Sequence, residues 1–123
     1  MKAVMRWLPA IAWMAVIFWL SSEAAPLPGG IEIPDKVAHF GVYAILGALL
    51  WWAARPRPLA AAALAIVVAS LYGASDELHQ RFVPGRTCDL RDWMADFAGA
   101  AAAVILITLI FSRRSRNPGA GPR

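Results

Sequence analysis

Ionisable and hydrogen-bonding side chains recur at helical spacing inside three apolar stretches of this sequence. Asp35, His39 and Tyr43 follow one another at intervals of four residues, so on a helix they share one face. Asp92 and Asp96 lie one turn apart and therefore stack. The remaining stretch holds a denser polar group, which consists of Tyr72, Asp76, Glu77, His79 and Gln80. Carboxylates and a histidine gathered in one place offer acid–base chemistry or ligands for a metal ion.

Glu77 is the residue that we expect to act as a general base or metal ligand, with His39 and Asp96 as its catalytic partners. Several carboxyls in one low-dielectric pocket cannot all ionise easily, so one of them is suited to proton transfer. A divalent metal is the cofactor that such a site would accept, with ligands from His39, Glu77, Asp92 and Asp96. This spacing matches no established metal motif. The alternative is a hydrogen-bonded histidine with an interhelical salt bridge that fixes helix register.

Cations and hydroxyl groups flank these acids and predict recognition of an anion. Lys36 follows Asp35 directly, and Arg86 lies between the second and third polar stretches. Arginine presents a planar fork of donors that suits a phosphate or a carboxylate. We expect the ligand to contact Lys36, Tyr43, Tyr72, Gln80 and Arg86. The alternative for both cations is neutralisation of the neighbouring acids.

The residues around the polar groups are those of a membrane protein. Hydrophobic residues make up 59% of the 123-residue chain and charged residues 16%, against about 45–50% and about 25% in soluble domains. Apolar segments at 7–20, 37–54, 59–74 and 93–111 predict four transmembrane helices, each of which needs about 20 residues. This composition argues against a soluble enzyme. Basic residues cluster at the ends of the apolar runs, which argues against a nucleic-acid-binding protein.

The charge distribution divides the ends and connections of the chain into two groups. The amino end, the connector at 55–58 and the carboxyl tail hold eight basic residues and no acid. The other two connections, with their helix ends, hold four basic residues and all eight acids. Lys and Arg of short loops stay on the cytoplasmic side, so we expect cytoplasmic termini and an outward-facing polar site. The predicted fold is an all-α integral membrane protein with four transmembrane helices in an up-down bundle.

One membrane domain over residues 1–116 and a disordered tail over 117–123 complete the predicted organisation. Lys2 and Arg6, followed by an apolar run and by Ser22-Glu23-Ala24-Ala25 as a cleavage site with small residues, also fit a cleaved secretory signal. We favour a span, because cleavage would leave three spans and conflict with the charge distribution. Thr87 or Asp89 is expected to cap the last helix.

Three ordered motifs connect the chain with a known family. They are Asp35-Lys36-x-x-His39-Phe40-x-x-Tyr43-x-x-x-Gly47, Leu71-Tyr72-Gly73-x-x-Asp76-Glu77-x-x-Gln80-x-Phe82-x-Pro84-Gly85-Arg86, and Asp89-x-x-Asp92-x-x-x-Asp96-x-x-Gly99. With Ser21 and Ser22 ahead of them, they resemble the VanZ-like family of small bacterial membrane proteins over about residues 15–110. The resemblance implies a multi-pass protein of the bacterial cytoplasmic membrane. It also implies a link to resistance against the glycopeptide teicoplanin.

Together, the residues and the resemblance predict a cell-envelope protein that recognises an anionic or lipid-linked group in an outward-facing polar cavity. Membrane lipids would be its other partners. Two further classes stay open: a structural partner protein that uses the polar cluster to lock helix register, and a proton-coupled carrier. The carrier is disfavoured, because no acid lies in the inner half of any predicted helix.

Overall fold

The computed structural model describes residues 2–23 and 34–116, which are helical apart from short connections. The helices are α1 (Lys2–Met5), α2 (Leu8–Ser22), α3 (Asp35–Ala54), α4 (Pro58–Gln80) and α5 (Leu90–Arg116). Within these two ranges no strand occurs. The segment Lys2–Ser22 and helices α3, α4 and α5 are long and apolar enough to cross a membrane. The prediction of four spans in an all-α fold is therefore confirmed, whereas the predicted disordered tail at 117–123 lies outside the described residues.

A turn at Arg6 and Trp7 separates α1 from α2. Pro9 lies in the first turn of α2. Since proline has no backbone N–H, Pro9 cannot donate to the carbonyl of Met5, and a continuous helix loses a hydrogen bond there. Arg6 Nη1 instead donates to the carbonyl of Arg55 at 3.1 Å. The basic amino end and the connector at 55–58 thus lie at the same end of the bundle.

Helices α3 and α5 form the most extensive contact in the described bundle. A Cβ atom built on Gly47 would lie 2.9 Å from the carbonyl oxygen of Ala100, and one built on Gly99 would overlap the backbone of Phe40. The two backbones are therefore in direct contact, which only glycine permits at these positions. This close approach lies directly behind the polar residues that are described below.

The apolar core continues from this contact between α3, α4 and α5. Leu46 and Val104 are fully buried, and α4 contributes Ala61, Ala65 and Ala69 at four-residue spacing. Many larger apolar side chains point outward from the bundle. In a membrane they form the ordinary lipid-facing surface, because lipid tails are as apolar as leucine.

The connections agree with the turn residues in the sequence. Helix α4 begins at Pro58, where the missing N–H costs nothing. Gly85 has a φ of 80°, which suits the turn that follows α4. The Asp89 carboxylate accepts from the backbone N–H of Arg91 at 2.9 Å. Asp89 is thus the cap of α5, as the sequence indicated.

Candidate functional site

His39 is the residue at which the polar side chains of α3 and α5 meet. Its Nδ1 atom lies 2.7 Å from Oδ1 of Asp96. Its Nε2 atom lies 3.9 Å from a carboxylate oxygen of Asp35 and 3.9 Å from one of Asp92. The Asp96 side chain is 0% exposed and that of His39 is 10% exposed. This pair is therefore held inside the bundle.

Glu77 approaches the same place from α4. Its Oε2 atom accepts from the backbone N–H of Asp89 at 3.1 Å. Its Oε1 atom is buried and has no hydrogen-bond partner in the described part of the chain, and the same holds for Oδ2 of Asp96. His39, Glu77 and Asp96 each offer one ligand atom, and these atoms lie within 4.8 Å of one another. Three helices thus converge on one point.

Lys36 forms salt bridges at the rim of this cluster. It pairs with the buried Asp92, and its Nζ atom lies 3.3 Å from Oδ2 of Asp89. The backbone N–H of Arg91, together with the Lys36 ammonium group, holds the pKa of Asp89 below its ordinary value. The sequence suggested that Lys36 binds an anionic ligand, but in the structure its ammonium group is already paired with the carboxylates of Asp89 and Asp92.

Asp76 is a buried acid that the predicted site did not include. It is 7% exposed, and its Oδ2 atom accepts from the Tyr43 hydroxyl at 3.2 Å. Gln80 lies one turn further along α4 and is 4% exposed. The sequence could have indicated that Asp76 belongs to the site, because it precedes Glu77 directly and shares a helix face with Gln80.

Tyr72 and Arg86, both expected to bind the ligand, make their hydrogen bonds to α2. The Tyr72 hydroxyl donates to the carbonyl of Met14 at 2.6 Å. Arg86 donates to the carbonyls of Leu20 and Glu23 at 3.0 and 2.9 Å. The two carbonyls that accept from Arg86 lie at the carboxyl end of α2, where carbonyl groups run out of helical partners. Both side chains thus join α2 to the rest of the bundle.

A groove of about 370 Å³ opens beside Glu77 on the outer surface of α4 and α5. It is lined by Ala74, Glu77, Cys88, Asp89, Leu90 and Trp93. Its volume lies within the range of about 300–1,000 Å³ that is usual for ligand pockets. Leu90 is 69% exposed on this side. Where the helices cross a membrane, such a surface faces lipid.

Two overlapping groups of residues have the composition of a metal site. One is His39 with Glu77 and Asp96, and the other is His39 with Asp35 and Asp92. Nitrogen and oxygen ligands in this proportion suit divalent ions such as Mn²⁺ or Zn²⁺. The sequence-based prediction placed Asp92 in one set with Glu77 and Asp96. The structure instead assigns Asp92 to the second group.

Comparison with known proteins gives two matches. The family model described as VanZ/LLP1 matches residues 6–111. The uncharacterized protein C11E3.10 of Schizosaccharomyces pombe is 35% identical over 94 residues, which are 76% of this chain and 56% of the yeast protein. This chain therefore spans little more than half the length of that curated relative, and the similarity extends to a eukaryote. No solved structure matches the chain.

Proposed function

The chain belongs to the VanZ/LLP1 family, and on that premise we propose that its polar cluster recognises a lipid-linked anionic group of the cell envelope. The four membrane-spanning helices make the protein a multi-pass membrane protein. The rest of the proposal rests on one observation: the buried residue Glu77 is among the residues that line an apolar groove on the outer surface of the bundle.

The groove fits an amphiphile better than a water-soluble ligand. Ala74, Leu90 and Trp93 provide apolar walls along which a lipid chain can lie. Glu77 belongs both to this groove and to the buried set with His39 and Asp96. A molecule whose chain occupies the groove therefore brings its polar head to the cluster.

The polar cluster faces the outside of the cell in this proposal. The Arg6–Arg55 contact joins the basic amino end to the basic connector at one end of the bundle. Lys36, Asp89 and Asp92 meet at the end that holds the acids. Because basic residues are retained in the cytoplasm, the acid-rich end is the outer one. The outer leaflet of the cytoplasmic membrane then supplies the ligand, and an effect on teicoplanin susceptibility follows from the family resemblance.

Native mass spectrometry of the detergent-purified protein tests this function. We expect an anionic lipid to co-purify with the wild-type protein and to be lost from Glu77→Gln. Glu23→Gln is the matched control, because it makes the same exchange at an exposed residue and should retain the lipid. A second variant, Ala74→Trp, fills the groove while leaving the cluster intact and should also lose the lipid. Equal lipid content in all four proteins, or none in any, contradicts the proposal.

A structural role is the second candidate, and a specific observation favours it. The Lys36–Asp92 and His39–Asp96 pairs both join α3 to α5. Such pairs can fix helix register while adding little net stability. In that case the isosteric Glu77→Gln exchange would change neither the bound lipid nor the unfolding of the protein.

A further inference from the structure

We propose that His39, Glu77 and Asp96 bind one divalent metal cation of the Mn²⁺ or Zn²⁺ type. The role that we give to this cation, which is to hold the anionic ligand, rests on the proposed function. A cluster rich in carboxylates repels an anionic head group, and two acids already occupy Lys36. A bound cation would supply the positive charge that holds the anion.

The geometry is close to that of a coordination sphere. The three ligand atoms come from α3, α4 and α5 and lie within 4.8 Å of one another. Two ligands on one ion, each at about 2.0–2.2 Å, are at most about 4.4 Å apart. Side-chain movements must therefore bring the most widely separated ligand atoms closer together to close the set around an ion.

The burial of two oxygen atoms points independently to a ligand. Oε1 of Glu77 and Oδ2 of Asp96 are buried without a hydrogen-bond partner among the described residues, in side chains that are 4% and 0% exposed. A buried carboxylate oxygen that has lost water and gained no donor is unfavourable. Both atoms belong to the same three-residue set. The second set instead depends on Asp35, whose side chain is 62% exposed.

The balance of charge gives the same answer. Lys36 offsets the charge of Asp92, and the Tyr43 hydroxyl donates to Asp76. His39, if protonated, offsets only one of the three remaining buried acids, Asp76, Glu77 and Asp96. A divalent cation offsets Glu77 and Asp96 while His39 stays neutral, which is the form in which histidine ligates metals. One ion thus satisfies groups that the side chains of this cluster leave unbalanced.

Binding of Mn²⁺ to the EDTA-stripped, lipid-free protein tests the inference. We expect isothermal titration calorimetry and the Mn²⁺ electron paramagnetic resonance signal to show one saturable ion per chain. Glu77→Gln and Asp96→Asn should each weaken binding more than about tenfold. Loss of a group that only orients a metal ligand already weakens binding about tenfold or more, and these two exchanges remove a ligand itself. Circular dichroism of each variant verifies that it is folded. Glu23→Gln, the exposed control used above, should leave the affinity unchanged. Asp35→Asn, which removes an acid of the alternative set, should weaken binding less than Glu77→Gln does.

Several results would overturn the metal site. They are the absence of saturable Mn²⁺ and Zn²⁺ binding to the wild-type protein, unchanged binding in folded Glu77→Gln, and loss of binding in Asp35→Asn alone. Repeating the lipid measurement in EDTA separates the two proposals. Lipid that stays bound without metal but is lost from Glu77→Gln would support the proposed function and refute the cation bridge. One bound ion without any lipid would support the metal site and contradict the proposed function.

Discussion

Helices α3–α5 and helix α2 belong to one bundle but are held in it differently. The backbones of α3 and α5 touch at Gly47 and Gly99, and the polar cluster lies beside that contact. Helix α2 buries only three residues, which are Ala10, Ile17 and Ser21. It is joined to the others by single side-chain hydrogen bonds, such as Trp13 Nε1 to the carbonyl of Val42 at 3.0 Å and Ser22 Oγ to His79 Nε2 at 3.0 Å.

This difference shows where a membrane bundle can hold polar chemistry. Apolar contact between helices gives little driving force in lipid, so close backbone packing and hydrogen bonds determine the arrangement. The buried carboxylates lie on α4 and α5, which pack with α3 into a rigid frame. Helix α2 is attached to this frame by separable contacts. We therefore expect α2 to be less important than the frame for stability and for ligand binding.

The largest effect is expected from Gly99→Val. A side chain at this position overlaps the Phe40 backbone, which cannot move aside without separating α3 from α5. Overpacking usually costs about 1–3 kcal/mol and occasionally more, and because this overlap is with backbone we expect a loss above about 3 kcal/mol. Unfolding in mixed micelles with increasing SDS measures the loss. Gly41→Val is the matched control on α3, because a Cβ at Gly41 meets nothing within 4 Å. Equal losses would contradict the direct backbone contact.

A smaller loss is expected from His39→Leu, which leaves Asp96 buried without its partner. A hydrogen bond to a charged group is worth about 1.5–3 kcal/mol. His79→Leu is the counterpart on the α2 side, because it removes a 3.0 Å contact with the Ser22 hydroxyl. We expect His79→Leu to cost less than about 1 kcal/mol in the same unfolding assay. A larger loss of stability from His79→Leu than from His39→Leu would contradict the distinction between α2 and the frame.

Tyr72→Phe and Trp13→Phe are expected to have still smaller effects. Each removes one hydrogen bond between α2 and the frame, and such bonds in membrane proteins average about 0.6 kcal/mol. Lipid and Mn²⁺ binding should stay at the wild-type level in both variants. Should Tyr72→Phe abolish binding as Glu77→Gln does, then α2 is a part of the site and the division into frame and attached helix is wrong.

The smallest effect is expected from Ile11→Ala on the outer face of α2. Ile11 is 57% exposed, so its side chain meets lipid and not another helix. Surface exchanges of this kind stay within about 0.5 kcal/mol. An unfolding loss clearly above that value would show that α2 packs against a partner, for instance a second copy of the chain.

The sequence predicted the spans, and the shared site of the polar residues on α3 and α5, for a simple reason. Apolar length determines which segments cross a membrane, and helical periodicity places Asp35 and His39, like Asp92 and Asp96, on one face. The two glycines at the contact also carried a signal, since small residues permit close packing. These features depend on residue type and spacing alone.

The partners of Tyr72 and Arg86 depend on more than type and spacing. Both donate to backbone carbonyls of α2, and a carbonyl is present in every residue. No side chain of α2 therefore marks the contact. The pairing of the acids on α5 could not be predicted from type and spacing either. Asp92 and Asp96 are one turn apart, yet Lys36 pairs with Asp92 and His39 pairs with Asp96. Only the relative height of α3 and α5 decides between these pairings.

The position of these acids on α5 has a consequence for biosynthesis. A ribosome completes α3 and α4 before α5, because translation runs from the amino end. Until α5 enters the membrane, Lys36 and His39 lack Asp92 and Asp96, the buried carboxylates that pair with them. Only Asp35 and Asp89, which are not buried, are then available to these two residues. Insertion of the last span is therefore the step that completes the buried ion pairs. A chain truncated before residue 90 would keep His39 without its buried partner, and cellular quality control could recognise it by that defect.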